Sequence, residues 1–141
     1  MADRVLFVDD EGDVCEYYVT ALKLAGFEVD YCDTTREGVT KIDDPQQGYT
    51  AIVLDLSMLH GSELSADETM GGLATGVVLY DRVRTRRPGT PVIVLTNVLQ
   101  GPVIDRLPPQ TMGAFQLVHK IETDPFEFAE VVSRMIRPES G

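Results

Sequence analysis

Five polar side chains close short apolar runs in this sequence: the acidic pair Asp9 and Asp10 in RVLFVDD, Asp55 in AIVLDLS, the Thr96 hydroxyl in VIVLTN and the Lys120 ammonium in FQLVHK. A strand that finishes on a polar residue delivers it to the carboxyl edge of a parallel sheet, where such sheets bind ligands near the point at which strand order reverses. Three carboxylates brought to one edge repel one another unless a cation lies among them. Asp, backbone carbonyl and water are the hard oxygen donors that magnesium prefers. A lysine and a threonine hydroxyl can then hold an added anion, and an aspartate carboxylate is a competent nucleophile towards phosphorus. The pattern therefore reads as one phosphate and metal site. Each residue alone has a plainer role: Asp9 could cap a helix, Thr96 could satisfy a strand end, and Lys120 could be a solvated charge. Those roles together would leave three carboxylates clustered to no purpose.

The elements that must position these residues alternate strand and helix five times, which implies an α/β fold with parallel pairing and right-handed crossovers. Strands are expected at 4–9, 28–32, 51–55, 91–95 and 115–119. The first helix is expected over 12–25, with Val14, Tyr17, Tyr18, Ala21, Leu22 and Ala25 as its apolar face and Gly26 as its stop. Asp33 or Thr34 caps the second, which runs to about residue 43 with Glu37 in the capping-box position. A third is expected over 75–86. Between Val98 and Met112, Pro102, Pro108 and Pro109 leave one or two helical turns at most. The last helix starts from Asp124 as cap, with Pro125 in its first position and Glu127 at the capping-box site. Its docking face is Phe126, Phe128, Ala129, Val132, Met135 and Ile136.

At 141 residues the chain is expected to form a single domain over 1–141, with a frayed tail at 137–141. Residues 56–75 form a long insertion after the third strand, where a strand-to-helix link usually takes about two to six residues. A lid, a partner-binding loop or a small extra element fits its position beside Asp55. Glycines at 71 and 72 with Met70 suggest a hinge. His60 has no neighbours at metal-ligand spacing and is read as a surface or packing residue, and Glu63, Asp67 and Glu68 as solvating the loop.

Lys plus Arg number 12 against 23 Asp plus Glu, a formal charge of −11, so direct binding to nucleic acid is disfavoured. Arg82, Arg84, Arg86 and Arg87 form the one basic cluster, at a helix end where they complement the dipole. No signal peptide or membrane-length apolar run is present, so a cytoplasmic location without membrane insertion is expected. Cys15 and Cys32 lack metal or redox spacing and read as buried structural thiols.

Taken together, VLFVDDE, Asp55 ending VLDLS, Thr96 ending PVIVLTN and Lys120 ending the fifth strand make the chain resemble the receiver domain of two-component response regulators, from Arg4 to about Arg137. The resemblance implies an open, doubly wound, five-stranded sheet of flavodoxin-like order 2-1-3-4-5. It makes Asp55 the phosphoacceptor, with magnesium held by Asp10 directly, by Asp9 largely through water, by Asp55, and by the carbonyl of Ser57. Thr96 would bond a phosphoryl oxygen, and Lys120 would pair with the phosphoryl group. The implied partners are a histidine kinase or histidine phosphotransfer protein as donor and a downstream protein as target, with room for a weak homodimer. The expected chemistry is magnesium-dependent self-phosphorylation and slow autodephosphorylation, with no small-molecule turnover.

Departures from the family concern output. Ile121 follows Lys120 where receivers commonly have proline, so no cis peptide is expected there. Leu117 occupies the usual aromatic switch position. Asn97 stands where a small residue is common, and Ser57 and Val98 offer little to orient a hydrolytic water. A constitutive protein-binding module with a vestigial or structural magnesium site is the alternative. A haloacid dehalogenase-like hydrolase would want an acid at Ser57, and no P-loop spacing occurs.

Overall fold

Short runs of β-branched and aromatic residues form the strands β1 (Arg4–Val8), β2 (Glu28–Cys32), β3 (Ala51–Asp55), β4 (Val92–Thr96) and β5 (Phe115–His119) of the computed structural model. Between and after them run α1 (Gly12–Leu24), α2 (Thr35–Asp43), α3 (Thr75–Arg86), α4 (Pro102–Asp105) and α5 (Pro125–Ile136). The structure describes residues 3–58, 64–97, 102–107, 115–120 and 122–137. His60, Glu63, Val98, Pro108, Pro109 and Ile121 lie outside them. The strands pair in parallel in the expected order, β2-β1-β3-β4-β5. The order reverses between β1, which leads directly into Asp9, and β3, which ends on Asp55.

Burial on both faces explains why β3 and β4 are unbroken apolar runs: each of their residues is buried. Alternate side chains serve opposite cores. Leu6, Val8, Ile52, Leu54, Val92 and Val94 pack with residues of α2 and α3, while Val5, Phe7, Val53, Ile93 and Leu95 pack with α1 and α5. Leu117 packs against the first of these cores. Thr34 caps α2 by accepting from the Glu37 amide at 3.2 Å, and Asp124 caps α5 by accepting from Glu127 at 2.9 Å. α4 is four residues long, about one turn, and begins on Pro102.

Two helix faces differ from expectation. Tyr17 is 70% exposed, Ala25 is also exposed, and the buried stripe of α1 is Cys15, Tyr18, Ala21 and Leu22. At about 100° per residue, Tyr18 lies at the centre of the stripe formed by Cys15, Ala21 and Leu22, and Tyr17, one step round, falls at its solvent side. In α5, Phe126 is 65% exposed, because Phe128, Ala129 and Val132 take the inward positions. At the chain's end, Arg137 donates to Asp3 at 2.9 Å and lies over the Phe27 ring.

The insertion is built from turns over residues 64–74. Ser65 and Glu68 make a reciprocal capping pair, each side chain accepting from the other's amide, and Thr69 donates its hydroxyl to the Ser65 carbonyl. Met70, Gly71 and Gly72 then take positive φ of 54°, 71° and 103° in succession. The exit is fastened to the end of β3: the Met58 amide donates to Gly72, the Ser57 hydroxyl to Leu73, and the Thr75 hydroxyl to Met58. Leu64, Met58 and Thr69 are buried. At Gly76 an added Cβ would lie 2.5 Å from the Asp55 carbonyl, so only glycine lets α3 start against that strand end.

The arginine cluster ties helices together. Arg82 pairs with Asp43, and Arg87 donates to the carbonyls of Lys41, Ile42, Asp44 and Gln47 at and beyond the carboxyl end of α2. These carbonyls have few intrahelical partners, and a charged donor compensates them. Arg87→Ala is expected to lower unfolding free energy by about 2 kcal/mol in urea titration. A loss below about 0.5 kcal/mol would assign those carbonyls to water instead.

Candidate functional site

β1 carries the chain to Asp9, β3 ends on Asp55, β4 on Thr96, and Lys120 follows β5, so four neighbouring strand ends deliver these side chains to one edge. Asp9 and Asp55 are 0% and 3% exposed, Lys120 is 7% exposed, and Asp10 stands exposed beside them. One carboxylate oxygen from each of Asp9, Asp10 and Asp55 lies within 4.8 Å of the others. The Lys120 ammonium is 2.9 Å from Asp9 Oδ2 and 3.4 Å from Asp55 Oδ1, with Glu11 at 3.9 Å. Thr96 is buried, and its carbonyl accepts the Lys120 amide at 2.8 Å. Ser57 is exposed two residues beyond Asp55, with its hydroxyl engaged by Leu73. Asp9, Asp10, Asp55 and Lys120 thus meet at one place, with Thr96 at the neighbouring strand end and Ser57 two residues beyond Asp55.

Backbone ties set the remaining geometry. Asp9 Oδ1 accepts the Glu11 amide at 2.9 Å, and its carbonyl accepts the Tyr31 phenol at 2.6 Å. The His119 ring bridges two loops: Nδ1 accepts the Glu122 amide at 3.2 Å, which leaves Nε2 to donate to the Asn97 carbonyl at 3.1 Å. Tyr18, Tyr31 and His119 are the supporting residues that sequence reasoning missed. Tyr18 donates its phenol to the Lys120 carbonyl at 2.7 Å; in the sequence it reads only as an apolar residue of a helix face, and nothing in spacing points its hydroxyl at that carbonyl.

One ammonium does not balance three carboxylates. Burial, reinforced by the Asp9 charge and opposed by Lys120, pushes the Asp55 carboxyl up to about 8. Burial opposes the Lys120 ammonium, but Asp55 and Asp9 outweigh it and hold that group above its ordinary value. Burial, reinforced by the Asp9 carboxylate, raises the Cys15 thiol far above the usual thiol range, so it stays protonated. Oδ2 of Asp9 and of Asp55 are buried without a hydrogen-bond partner among the described residues. Excess negative charge, unsatisfied oxygens and an all-oxygen donor set are what a magnesium ion fits.

The sequence matches no family model and no curated protein. Among solved structures, it is similar to a CheY-like response regulator receiver domain protein of Methanospirillum hungatei, with a TM-score of 0.73 at 20% identity, over 96% of this chain and 94% of that one. The beryllofluoride-activated DrrB receiver domain gives 0.71 at 20%, covering 96% and 98%. Chemotaxis protein CheY4 of Vibrio cholerae gives 0.71 at 21%, covering 96% and 99%. The chain has the receiver-domain fold of the response regulators.

The raised Asp55 carboxyl has a consequence for stability. The folded protein keeps that proton to a pH near 8, whereas the unfolded chain releases it near about 4. Between these values the folded state binds more protons, so its stability falls as pH rises. In chelator, the melting temperature of wild type is expected to drop from pH 5 to 8. Asp55→Asn should drop less and be the more stable protein at pH 8, and magnesium should narrow the gap. Parallel pH profiles would show that Asp55 is not destabilised by its neighbours.

Proposed function

We propose that this protein is a phosphoacceptor receiver that takes a phosphoryl group onto Asp55 from a histidine kinase or histidine phosphotransfer protein and signals through contacts with a downstream protein. The observation that carries the reading is a buried Asp55 with an unpartnered Oδ2, clustered with Asp9 and Asp10 and sharing the Lys120 ammonium with Asp9. In the transfer, an Asp55 oxygen attacks phosphorus and the phosphorus–nitrogen bond of the donor phosphohistidine breaks. The bonding pair returns to the imidazole, and an acyl phosphate remains on Asp55. Lys120 shifts its charge to the new oxygens, and the Thr96 hydroxyl donates to one of them. Magnesium held by Asp10, Asp9, Asp55 and the Ser57 carbonyl would draw charge from the phosphoryl oxygens. Exposure of Asp10 favours it as the direct ligand, since Asp9 is occupied by Lys120.

Acetyl phosphate with magnesium tests the site. Intact-mass analysis is expected to show one added phosphoryl group on wild type, none on Asp55→Asn, and a half-life of minutes or longer, because the Ser57 hydroxyl is tied to Leu73 instead of orienting water. Equal labelling of the variant would sink the assignment, and decay within seconds would sink the account of Ser57.

Output is read through the insertion. Residues 72–75 are bonded to residues 57 and 58, just beyond Asp55, and the Arg106 side chain, following α4, donates to the Glu68 carbonyl at 3.3 Å. Any rearrangement at Asp55 is therefore felt by this segment before it reaches a partner. Amide exchange with and without beryllofluoride is expected to change protection within 64–74. Change confined to β4, β5 and α5 would place the output on that face and exclude the insertion.

A further inference from the structure

The Lys120 ammonium sits among carboxylates, yet Nζ makes no well-directed hydrogen bond among the described residues. Its place is set by Coulomb attraction and by where the backbone anchors the side-chain stem. That backbone is held on both sides. The amide donates to Thr96 at 2.8 Å, and the carbonyl accepts the buried Tyr18 phenol at 2.7 Å. The same phenol lies 3.3 Å from the Thr123 carbonyl, so one hydroxyl spans the turn by which the chain leaves β5.

Tyr18 is itself immobilised. Its ring meets Phe128 edge-on at 5.2 Å, and Phe128 meets Phe7 edge-on at 6.0 Å, two residues before Asp9. The hydroxyl cannot swing away without dislodging three core rings. Lys120 is followed by Ile121, which does not lock the backbone as proline would.

We propose that Tyr18 is a positioning residue: its hydroxyl fixes the Lys120 carbonyl, and with it the stem that brings the ammonium to a phosphoryl group on Asp55. The inference rests on the reading of Lys120 as that group's partner. Tyr31, whose phenol holds the Asp9 carbonyl at 2.6 Å, provides the comparison on the metal side.

Tyr18→Phe keeps the ring contacts and removes only the hydrogen bond. Beryllofluoride is titrated at saturating magnesium, and magnesium is titrated separately. Beryllofluoride affinity is expected to fall about tenfold, the scale of one lost hydrogen bond, while magnesium affinity stays within about twofold of wild type. In a Lys120→Ala background the same substitution should add no further loss, because Tyr18 acts through the lysine. Tyr31→Phe should show the opposite split and weaken magnesium first. Unchanged beryllofluoride affinity in Tyr18→Phe, or a full additional loss on top of Lys120→Ala, overturns the proposal. So does a parallel loss of both ligands in step with melting temperature, which marks general loosening. A wild-type protein that binds magnesium but no beryllofluoride defeats the reading of the site, and the positioning role falls with it; that outcome is seen before any variant is made.

Discussion

Asp9 and Asp55 are two carboxylates held almost wholly out of water with a single ammonium between them, and most of the surrounding architecture is arranged to keep them there. Neither would tolerate this place alone, since an unpaired buried charge costs several kcal/mol. Lys120 lowers the cost for both, but one ammonium does not keep both ionised, and Asp55 is left with a raised carboxyl that a second cation would lower. That need is the physical link between fold and chemistry. It also makes the site responsive, because adding a dianion and a divalent metal changes a strained electrostatic balance rather than a relaxed one.

The sheet edge supplies the convergence, and the second layer of contacts supplies the accuracy. Parallel strands β1, β3, β4 and β5 bring four chain ends side by side, but strand ends are where ladder hydrogen bonds run out. Here Tyr18, Tyr31 and the His119 ring replace them, each bonded to backbone at a position the ladder no longer covers. Gly76 lets α3 begin against the Asp55 carbonyl, so the phosphoacceptor strand is braced from the helix side as well.

Much of this was legible in the sequence because it depends on local rules. Strand runs that end on Asp55 or Thr96, a Thr34–Glu37 box, and Asp124-Pro125 opening a helix are signals contained in a few residues. What escaped is set by tertiary geometry. Helical spacing admits more than one apolar stripe on α1, and only the position of α5 and the sheet decides that Tyr18 turns inward and Tyr17 outward. The arginines of α3 read equally well as dipole partners, whereas the structure commits Arg87 to the end of another helix. The turn at Ser65 was within reach of the sequence, since Ser65 and Glu68 have capping-box spacing. It lies inside a stretch without helical periodicity, which hid it.

The run of left-handed backbone at Met70, Gly71 and Gly72 has a consequence for how this segment can vary. A methionine at φ 54° is tolerated at some cost, while the next two positions are glycines at positive φ, a conformation that other side chains rarely adopt. Just beyond, residues 72–75 are fastened to the chain beside Asp55. Adding or removing one residue between Ser65 and Thr75 would throw the reversal out of phase with those fastenings. Between Ser65 and Thr75 the length of the segment is therefore fixed, and its freedom to diversify is confined to the identities of outward side chains such as Ala66, Asp67 and Leu73.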